Sequence, residues 1–341
     1  MAVTRRALVL RALGLGDLLT AVPALRALRQ GLAAYEIVLA ADKGIGELLR
    51  LEGLVDRVLP ARGLTPLEWG GRPPDVAVNL HGRGPESHRV LQALEPYRLV
   101  GFRCPEVGSD GPEWRPGEHE VHRWCRLVRC AGWPADPTRL HLTAQAAVPS
   151  PAPGAVVVHP GAAYAARRWP AERFAAVAAA VAEDGHQVVV TGSPDERRLA
   201  RHVARTAGLP SAAVLAGRTD VRGLSALVAE AGVVVCGDTG VAHLATAHRT
   251  PSVVLFGPVP PTEWGPTAAG PHTVLWHGQE RAAVGGRGDP FGRDLDPALA
   301  AVTVEEVVDA VRDRLRHRPS HMRRRGSQAP SADSSDVSAV R

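Results

Sequence analysis

Apolar runs alternate with amphipathic stretches along most of the chain. In its first half, the apolar runs predict strands at 6–12, 35–40, 54–59, 75–80 and 97–102. Between or after them, apolar residues at helical spacing predict helices at 17–30, 44–51, 85–94 and 118–131. Strands that alternate with helices are typical of parallel βαβ units, so this half predicts an α/β domain.

The same alternation restarts after residues 146–154, a stretch rich in proline and alanine that we interpret as a linker. Beyond it, the pattern predicts strands at 155–159, 187–192, 212–217, 233–237 and 252–257. It predicts helices at 170–184, 194–207, 222–231, 240–248 and 302–318, and a loop at 278–296. Two such halves predict Rossmann-like domains at 1–148 and 152–300 that face each other across a cleft. Ligands of such sheets bind beyond the carboxyl ends of the strands, so the loops that follow strands are the candidate sites.

The composition of the 341-residue chain excludes several classes of protein. With 45% hydrophobic and 22% charged residues, it excludes a wholly disordered chain, a collagen and a small disulfide scaffold. The four cysteines form no CxxC pair, which favours a reducing cytoplasm. No run approaches about 18 apolar residues, so no membrane span is expected, and Arg11 interrupts the apolar stretch that a signal peptide would need.

The net charge of +5 is concentrated at the C-terminus. Residues 318–341 hold five arginines against two aspartates, which leaves the rest of the chain nearly neutral. A nearly neutral body argues against a nucleic-acid partner. We expect residues 319–341 to be a disordered basic and serine-rich tail, for which solvation is favoured over peripheral contact with the inner face of a membrane.

The first strand is followed by the sequence LGLGD, residues 13–17, which opens a helix. Its glycines let the backbone turn tightly and let a ligand approach closely. A dinucleotide fingerprint would need a third glycine where the chain has Leu19, so a nicotinamide dehydrogenase is disfavoured. Asp17 is either an acid of the first helical turn, which position alone favours, or a carboxylate at the cleft that takes a proton from a hydroxyl.

Two loops of the second half have residue types that suit a diphosphate. In the loop at 160–170, small residues precede Arg167 and Arg168 just before a helix, although a solvated surface loop would look the same. After the strand at 233–237, free N–H groups near Thr239 and Gly240 can bind phosphate oxygens at a helix N-terminus.

Acidic residues and one histidine accompany these loops. Asp238 would repel a phosphate, so it either caps the helix or bonds a sugar hydroxyl, and His243 follows about one turn into that helix. After the strand at 187–192, Asp195 or Glu196 either holds a ribose diol or caps the next helix.

Three segments together resemble glycosyltransferase family 9, the bacterial heptosyltransferases of lipopolysaccharide core assembly. They read LGLGDLLTAVPALRAL, VVHPGAAYAARRWPAERF and DTGVAHLATAHRTPSVVLFGP, and the resemblance runs in order over residues 5–317. It implies the GT-B fold, with the acceptor on the N-terminal domain and the nucleotide sugar on the C-terminal one. It also implies an inverting, metal-independent reaction with ADP-heptose as the donor and a saccharide or glycolipid as the acceptor.

The resemblance also implies roles for single residues. Asp17 matches the general base. The residues expected at the donor phosphates are Arg167, where the family usually has lysine, and Arg168, Thr239 and Gly240. Those expected at the nucleoside or the sugar are Glu196, Thr219, Asp238 and His243.

On the acceptor side, Gly16 and His81 are the expected contacts. This chain departs from the family in two places. Residues 162 and 163 are alanines where some members have hydroxyl residues, and residues 79–88 do not match the lipopolysaccharide enzymes closely. The donor class is therefore indicated more closely than the acceptor.

A metal site and two other functions are less favoured. His119, His122, Cys125 and Cys130 fall on one predicted helix, whereas a zinc site usually draws its ligands from several elements, so we expect no metal and no cofactor. The alternatives are an epimerase-like nucleotide-sugar enzyme on the same fold, or a non-catalytic nucleotide-sugar binder. A binder has no need of a base, so Asp17 argues against it.

Overall fold

The computed structural model describes residues 4–143, 148–267, 269–283 and 285–317. Its N-terminal half contains one five-stranded parallel sheet of order β3-β2-β1-β4-β5. Its strands are β1 (Arg5–Leu10), β2 (Tyr35–Ala41), β3 (Arg57–Pro60), β4 (Val76–Asn79) and β5 (Leu99–Val100). Its helices are α1 (Leu15–Thr20), α2 (Val22–Gly31), α3 (Lys43–Leu51), α4 (Glu86–Gln92) and α5 (Glu120–Cys130).

The C-terminal half contains a second five-stranded parallel sheet, of order β10-β9-β8-β6-β7. Its strands are β6 (Val156–His159), β7 (Val188–Val190), β8 (Val233–Gly237), β9 (Ser252–Leu255) and β10 (His272–Leu275). Its longer helices are α6 (Ala171–Glu183), α7 (Arg197–Thr206), α8 (Val221–Glu230), α9 (Gly240–His248) and α13 (Val304–Arg316). Its short helices are α10 (Pro261–Trp264), α11 (Gln279–Ala283) and α12 (Pro297–Ala300). The two parallel sheets confirm the predicted α/β class.

The strands are buried because helices cover both faces of each sheet. All four residues of β4, all four of β6 and all five of β8 are buried, and most of them are valine. Such continuous apolar runs are typical of parallel strands, whereas a half-exposed sheet would alternate apolar and polar residues. At the end of the described chain, a reciprocal cap between Thr303 and Glu306 begins α13.

Several predicted elements differ from the structure. The helix predicted at 17–30 is two helices, because Pro23 in the first turn of α2 has no N–H to continue α1. The strand predicted at 212–217 is wrong: Ser211–Ala213 is a 3-10 turn, and Val214 makes a single bridge to Val190 of the short edge strand β7. Strand β10 was missed because its residues are only half-buried and begin with His272 and Thr273.

Two predictions concern residues that the structure does not describe. Residues 146–147 of the proposed linker and the whole proposed tail, residues 319–341, lie outside the described ranges. The domain boundary therefore stays a prediction. In the described ranges, no helix has both the length and the apolar character that crossing a bilayer requires.

Helices α1 and α9 meet where the two halves face each other, and glycines make the contact possible. A Cβ on Gly240 would lie 2.9 Å from Leu15 Cβ and 3.1 Å from the Gly16 nitrogen. A Cβ on Gly16 would lie 2.7 Å from His243 Cδ2. These glycines thus let the two halves approach each other, and they do so at the edge of the cleft.

Candidate active site

A cavity of about 620 Å³ lies beyond the carboxyl ends of β1, β6 and β8. It gathers three acids and two arginines from both halves: Asp17, Glu196, Asp238, Arg167 and Arg287. Cavities of about 790 and 1140 Å³ lie elsewhere, but each is lined by one half of the described chain alone. We call the first one the cleft cavity and take it as the candidate active site, because charged groups converge on it from two domains.

Asp17 lies in the first turn of α1, with its side chain 33% exposed. Gly14 is the N-cap residue of this helix, so Asp17 is a first-turn acid that also lines the cavity. Burial raises the pKa of Asp17, the nearby charge of Arg11 opposes this rise, and the carboxylate of Glu120 adds to it. A partly exposed carboxylate with a raised pKa has the properties of a general base near neutral pH.

The guanidinium of Arg11 supports Asp17 from the protein interior. It is fully buried, and its Nη2 lies 3.9 Å from Asp17 Oδ1 and 3.2 Å from Glu120 Oε1. Its Nε donates a hydrogen bond to the backbone oxygen of Asp17, its Nη1 donates to Leu80 O, and its guanidinium stacks over the Trp124 ring. Sequence reasoning missed this role, although an arginine directly after a buried apolar strand was the available signal.

Two residues that line the cleft cavity have a buried polar atom without a nitrogen or oxygen partner, although the Thr239 hydroxyl bonds to the Cys236 thiol. Arg167 Nε and Thr239 Oγ1 have no nitrogen or oxygen partner within the described ranges. Thr239 is the N-cap residue of α9, yet its hydroxyl makes no capping bond. A buried donor without a partner is costly, and the first N–H groups of a helix are also free. Together they suit an anionic group of a ligand.

Asp238 is the most perturbed acid of the cavity. It directly follows β8, and 7% of its surface is exposed. Burial raises the pKa of Asp238 to about 6; the charge of Arg167 opposes this, and that of Asp17 adds to it. Two carboxylates that sense each other in one cavity favour ligands bearing hydroxyl groups or positive charge beside them.

His243 lies on α9, one turn after the loop, and faces the cavity as the sequence indicated. Burial lowers the pKa of His243 to about 4, with smaller contributions from His119 and Arg11. Its ring meets the Trp264 ring edge to face, with centroids 5.8 Å apart. At neutral pH the imidazole is therefore uncharged, so one of its nitrogens can donate a hydrogen bond and the other can accept one.

Glu196 both ends a loop and faces the cavity. It is the N-cap residue of α7, and its Oε2 accepts a hydrogen bond of 2.7 Å from the Ser193 nitrogen. A Cβ on Gly161 would lie 2.0 Å from Glu196 Oε1, so only glycine leaves room for this carboxylate. The Glu196 side chain makes no capping bond to α7; its carboxylate accepts from the preceding loop and lines the cavity, so a ligand contact stays the prediction.

The mouth of the cavity contains aromatic residues. Tyr164 and Phe291 are 40% and 65% exposed and meet edge to face with centroids 5.0 Å apart. Arg287 Nη1 lies 3.1 Å from Glu263 Oε2 beside them. Phe291 and Arg287 belong to the stretch for which the sequence predicted only a loop, and its composition gave no signal of a site.

Three of the predicted site residues are absent from the described lining of the cleft cavity. Arg168 is exposed, and it donates from Nε to Ala162 O and from Nη2 to Ala163 O, which fixes the loop that carries Arg167. Thr219 precedes α8. His81 Nδ1 accepts a hydrogen bond of 3.3 Å from the Ala12 nitrogen, and burial lowers the pKa of His81 to about 4.

The cluster on α5 has other contacts in the structure. His119 Nε2 donates to Gly265 O, and the His119 ring meets the His122 ring edge to face. Burial raises the pKa of Cys125 to about 12. Within the described ranges, no three His, Cys, Asp or Glu side chains are grouped as metal ligands.

The chain is similar to known proteins in sequence and in fold. The model of glycosyltransferase family 9 (heptosyltransferase) matches residues 113–288, more than half of the chain. Lipopolysaccharide heptosyltransferase 3 of Escherichia coli is 34% identical over 113 residues, which are 33% of each chain. The chain thus matches about a third of that relative's length. Lipopolysaccharide heptosyltransferase 1 of Pseudomonas aeruginosa is 26% identical over 287 residues, which are 75% of this chain and 79% of that protein.

A solved structure extends the likeness to nearly the whole fold. The ADP-heptose lipopolysaccharide heptosyltransferase II of E. coli matches with a TM-score of 0.68 at 20% identity, covering 91% of this chain and 98% of that one. At this identity the likeness concerns the fold, and it confirms the GT-B architecture.

Proposed function

Because the chain belongs to glycosyltransferase family 9, we propose that it transfers heptose from ADP-heptose to a hydroxyl of a saccharide or glycolipid acceptor. The observation that carries this proposal is the buried Arg167 Nε, which has no hydrogen-bond partner among the described residues, in the same cavity as the carboxylate of Asp17. An anion site and a base in one cavity are what transfer from a nucleoside diphosphate needs.

Asp17 is the general base of the proposed reaction. The acceptor oxygen forms a bond to the anomeric carbon while its proton passes to Asp17, and the bond between that carbon and the diphosphate oxygen breaks with its electron pair. A single displacement inverts the anomeric centre. The raised pKa of Asp17 supports this role, because a base closer to neutral pH accepts a proton more readily.

The donor phosphates lie at Arg167, Thr239 and the first N–H groups of α9 in this proposal. Negative charge grows on the diphosphate as it leaves, and a guanidinium with a helix N-terminus stabilises that charge. Since these groups supply positive charge themselves, the proposed step needs no metal ion and no cofactor. Arg168 acts on this site by fixing the loop of Arg167.

The nucleoside and the sugar occupy the remaining polar groups of the cavity. We assign the ribose diol to Glu196 and hydroxyl groups of the sugar to Asp238 and the neutral His243. The E. coli and P. aeruginosa relatives are named for lipopolysaccharide, which supports a glycolipid acceptor here. Such an acceptor would place the enzyme at the cytoplasmic side of the inner membrane.

Calorimetric titration with ADP, UDP and GDP in parallel tests the donor. We expect ADP to bind with at least tenfold preference, and ADP-heptose to release ADP only when a lipopolysaccharide stripped of its heptoses is added. Preference for UDP or GDP would overturn the heptose donor but keep a glycosyltransferase. Donor turnover at the same rate without acceptor would contradict transfer and favour an epimerase-like enzyme.

A further inference from the structure

A second cavity, of about 1140 Å³, lies between α7 and the 3-10 turn at Ser211–Ala213. Five of its lining residues are arginines: Arg197, Arg198, Arg201, Arg205 and Arg218. We call this cavity the basic groove. It takes no part in the reaction proposed above, because its described lining and that of the cleft cavity share no residue.

The arginines of the basic groove lack acidic partners. In the described part of the chain, none of these five guanidinium groups pairs directly with a carboxylate, although Arg205 contacts His202 Nδ1, and His202 Nε2 lies 3.1 Å from Glu172 Oε1. On α13, by contrast, Arg312 pairs with Asp184 at 2.8 Å, and Arg314 and Arg316 lie within 4 Å of Asp313. The charge of the groove is therefore uncompensated, unlike that of another arginine-rich helix in the same half.

The spacing of these charges on α7 is regular. Arg197, Arg201 and Arg205 follow one another at intervals of four residues, so they form one stripe along the helix, roughly 12 Å long. Like charges at this spacing destabilise a helix by themselves. The arrangement becomes favourable when an anion lies along the stripe.

The other residues of the groove suit a phosphate-rich ligand. Ala204, Leu209 and Val214 form an apolar part of the lining, and Arg218 is the arginine contributed from outside α7. Guanidinium groups bind phosphoryl oxygens with two parallel hydrogen bonds, and they keep their charge at any physiological pH. The described lining offers no Trp, Tyr or Phe on which a nucleobase could stack, which disfavours a nucleic acid.

We propose that the basic groove is a binding site for an extended anion that carries several phosphoryl groups. A single phosphate would meet one or two guanidinium groups, whereas the stripe offers several over its length. A row of phospholipid headgroups and a soluble polyphosphate both have this chemistry. The groove begins at Arg197, directly after Glu196 of the cleft cavity, so its occupant would lie beside the active site.

Two probes separate the sources of the phosphoryl groups. Tripolyphosphate is titrated calorimetrically in the presence of saturating ADP, which keeps the cleft cavity occupied. Vesicles of phosphatidylglycerol and phosphatidylcholine in equal parts are tested by co-sedimentation, with pure phosphatidylcholine vesicles as the reference.

The variant Arg197→Gln/Arg201→Gln/Arg205→Gln removes the stripe. We expect it to weaken binding of the preferred probe by about 100-fold, since each arginine contributes a charge-assisted contact. The control Arg89→Gln/Arg103→Gln/Arg139→Gln removes the same charge from exposed positions of the N-terminal half and should change binding by less than about threefold. If the triple variant fails to fold, Arg201→Gln alone should weaken binding about fivefold.

The outcomes decide between the possibilities. Arginine-dependent binding of tripolyphosphate supports a soluble ligand, and arginine-dependent binding of anionic vesicles alone supports lipid headgroups. Equal losses in the stripe variant and the control would overturn the site, because net charge would then explain the binding. Absence of binding to both probes, or tighter binding of a single-stranded oligonucleotide through the same arginines, would also overturn it.

Discussion

The N-terminal segments of α1 and α9 contain the same residue types but differ in their electrostatic surroundings. Each segment follows a buried strand, contains an acid and a glycine, and lines the cleft cavity. At α1 the acid is Asp17, which is partly exposed and lies beside the buried cation of Arg11. At α9 the acid is Asp238, which is nearly fully buried, with a pKa of about 6.

Burial and neighbouring charge, more than the local motif, determine the different chemical roles of the two acids. Asp17 has access to the cavity and a fixed counter-charge, so it can exchange a proton with a ligand. Asp238 senses the charge of Arg167, whose buried Nε has no partner among the described residues, so its surroundings suit a phosphate and a sugar hydroxyl. Glycine lies in the first turn of both helices for the same reason, because Gly16 and Gly240 allow the two helices to touch.

The largest effect is expected from Asp17→Asn. Loss of a general base should lower the rate of ADP release from ADP-heptose, with the heptose-free lipopolysaccharide as acceptor, by about 1000-fold. The matched control is Asp42→Asn, because Asp42 also follows a strand but caps α3 through the Gly44 and Ile45 nitrogens and pairs with Arg62, outside the lining of the cleft cavity. An equal loss in both variants would contradict the division of roles.

The pH profile sharpens the same prediction. Because the pKa of Asp17 is raised, the wild-type rate should fall on the acid side from a higher pH than an ordinary aspartate would cause. The residual rate of Asp17→Asn should lack this acid limb. A wild-type profile that is flat down to the ordinary range of aspartate would argue against Asp17 as the titrating group.

Arg167→Gln should weaken ADP binding by about 30-fold, since a charge-assisted contact with phosphate is lost. Arg168→Gln is the neighbouring comparison and should weaken ADP binding by only about threefold, because its guanidinium acts indirectly, through the loop carbonyls of Ala162 and Ala163. Calorimetry on both variants measures the difference. Equal effects would place both arginines at the phosphates, as the sequence predicted.

Asp238→Asn should make stability less dependent on pH. The pKa of Asp238 is about 6 in the fold, above the 3.8 of an ordinary aspartate. The carboxyl group therefore stabilises the fold below about pH 4, and this contribution is lost as the pH rises through 6. The free energy of unfolding of the variant, relative to that of wild type, should therefore rise by about 2 kcal/mol when the pH is raised from about 4 to about 7.5. Urea unfolding of both proteins at the two pH values measures this change. A difference in stability between variant and wild type that is the same at both pH values would refute the buried charge.

The smallest effect is expected from Gly240→Ala. The new Cβ would lie 2.9 Å from Leu15 Cβ, so the helices must separate and the rate of transfer should fall about tenfold. Gly44→Ala is the control at another contact between the halves, where the Cβ would meet Val221 at an ordinary 3.8 Å. A normal rate in Gly240→Ala would show that the close approach of α1 and α9 is not required.

Much of the fold was predictable because its signals are local. Continuous apolar runs identify the central strands, and small residues before a helix identify the loops at the cleft. Seven residues that the sequence named for the base and the donor line one cavity: Asp17, Arg167, Glu196, Asp238, Thr239, Gly240 and His243. Their roles stay predictions until the variants are measured.

The remaining features depend on partners distant in the chain. The ion pair of Arg11 with Glu120 joins residues 109 positions apart, and no local pattern indicates it. Phe291 and Arg287 come from a stretch without periodicity. Arg168 stays a predicted phosphate contact that the geometry does not select, since Arg167 lines the cavity while the Arg168 guanidinium bonds to the loop carbonyls of Ala162 and Ala163.

The proposed base and phosphate site come from different halves of the chain, line one cavity and act separately in the proposed reaction. The most direct test measures ADP affinity by calorimetry for Asp17→Asn and Arg167→Gln side by side. We expect Asp17→Asn to bind ADP within about threefold of wild type while its transfer rate is lost. We expect Arg167→Gln to lose affinity for ADP by about 30-fold. A loss of ADP affinity in Asp17→Asn as large as that in Arg167→Gln would contradict this separation of roles.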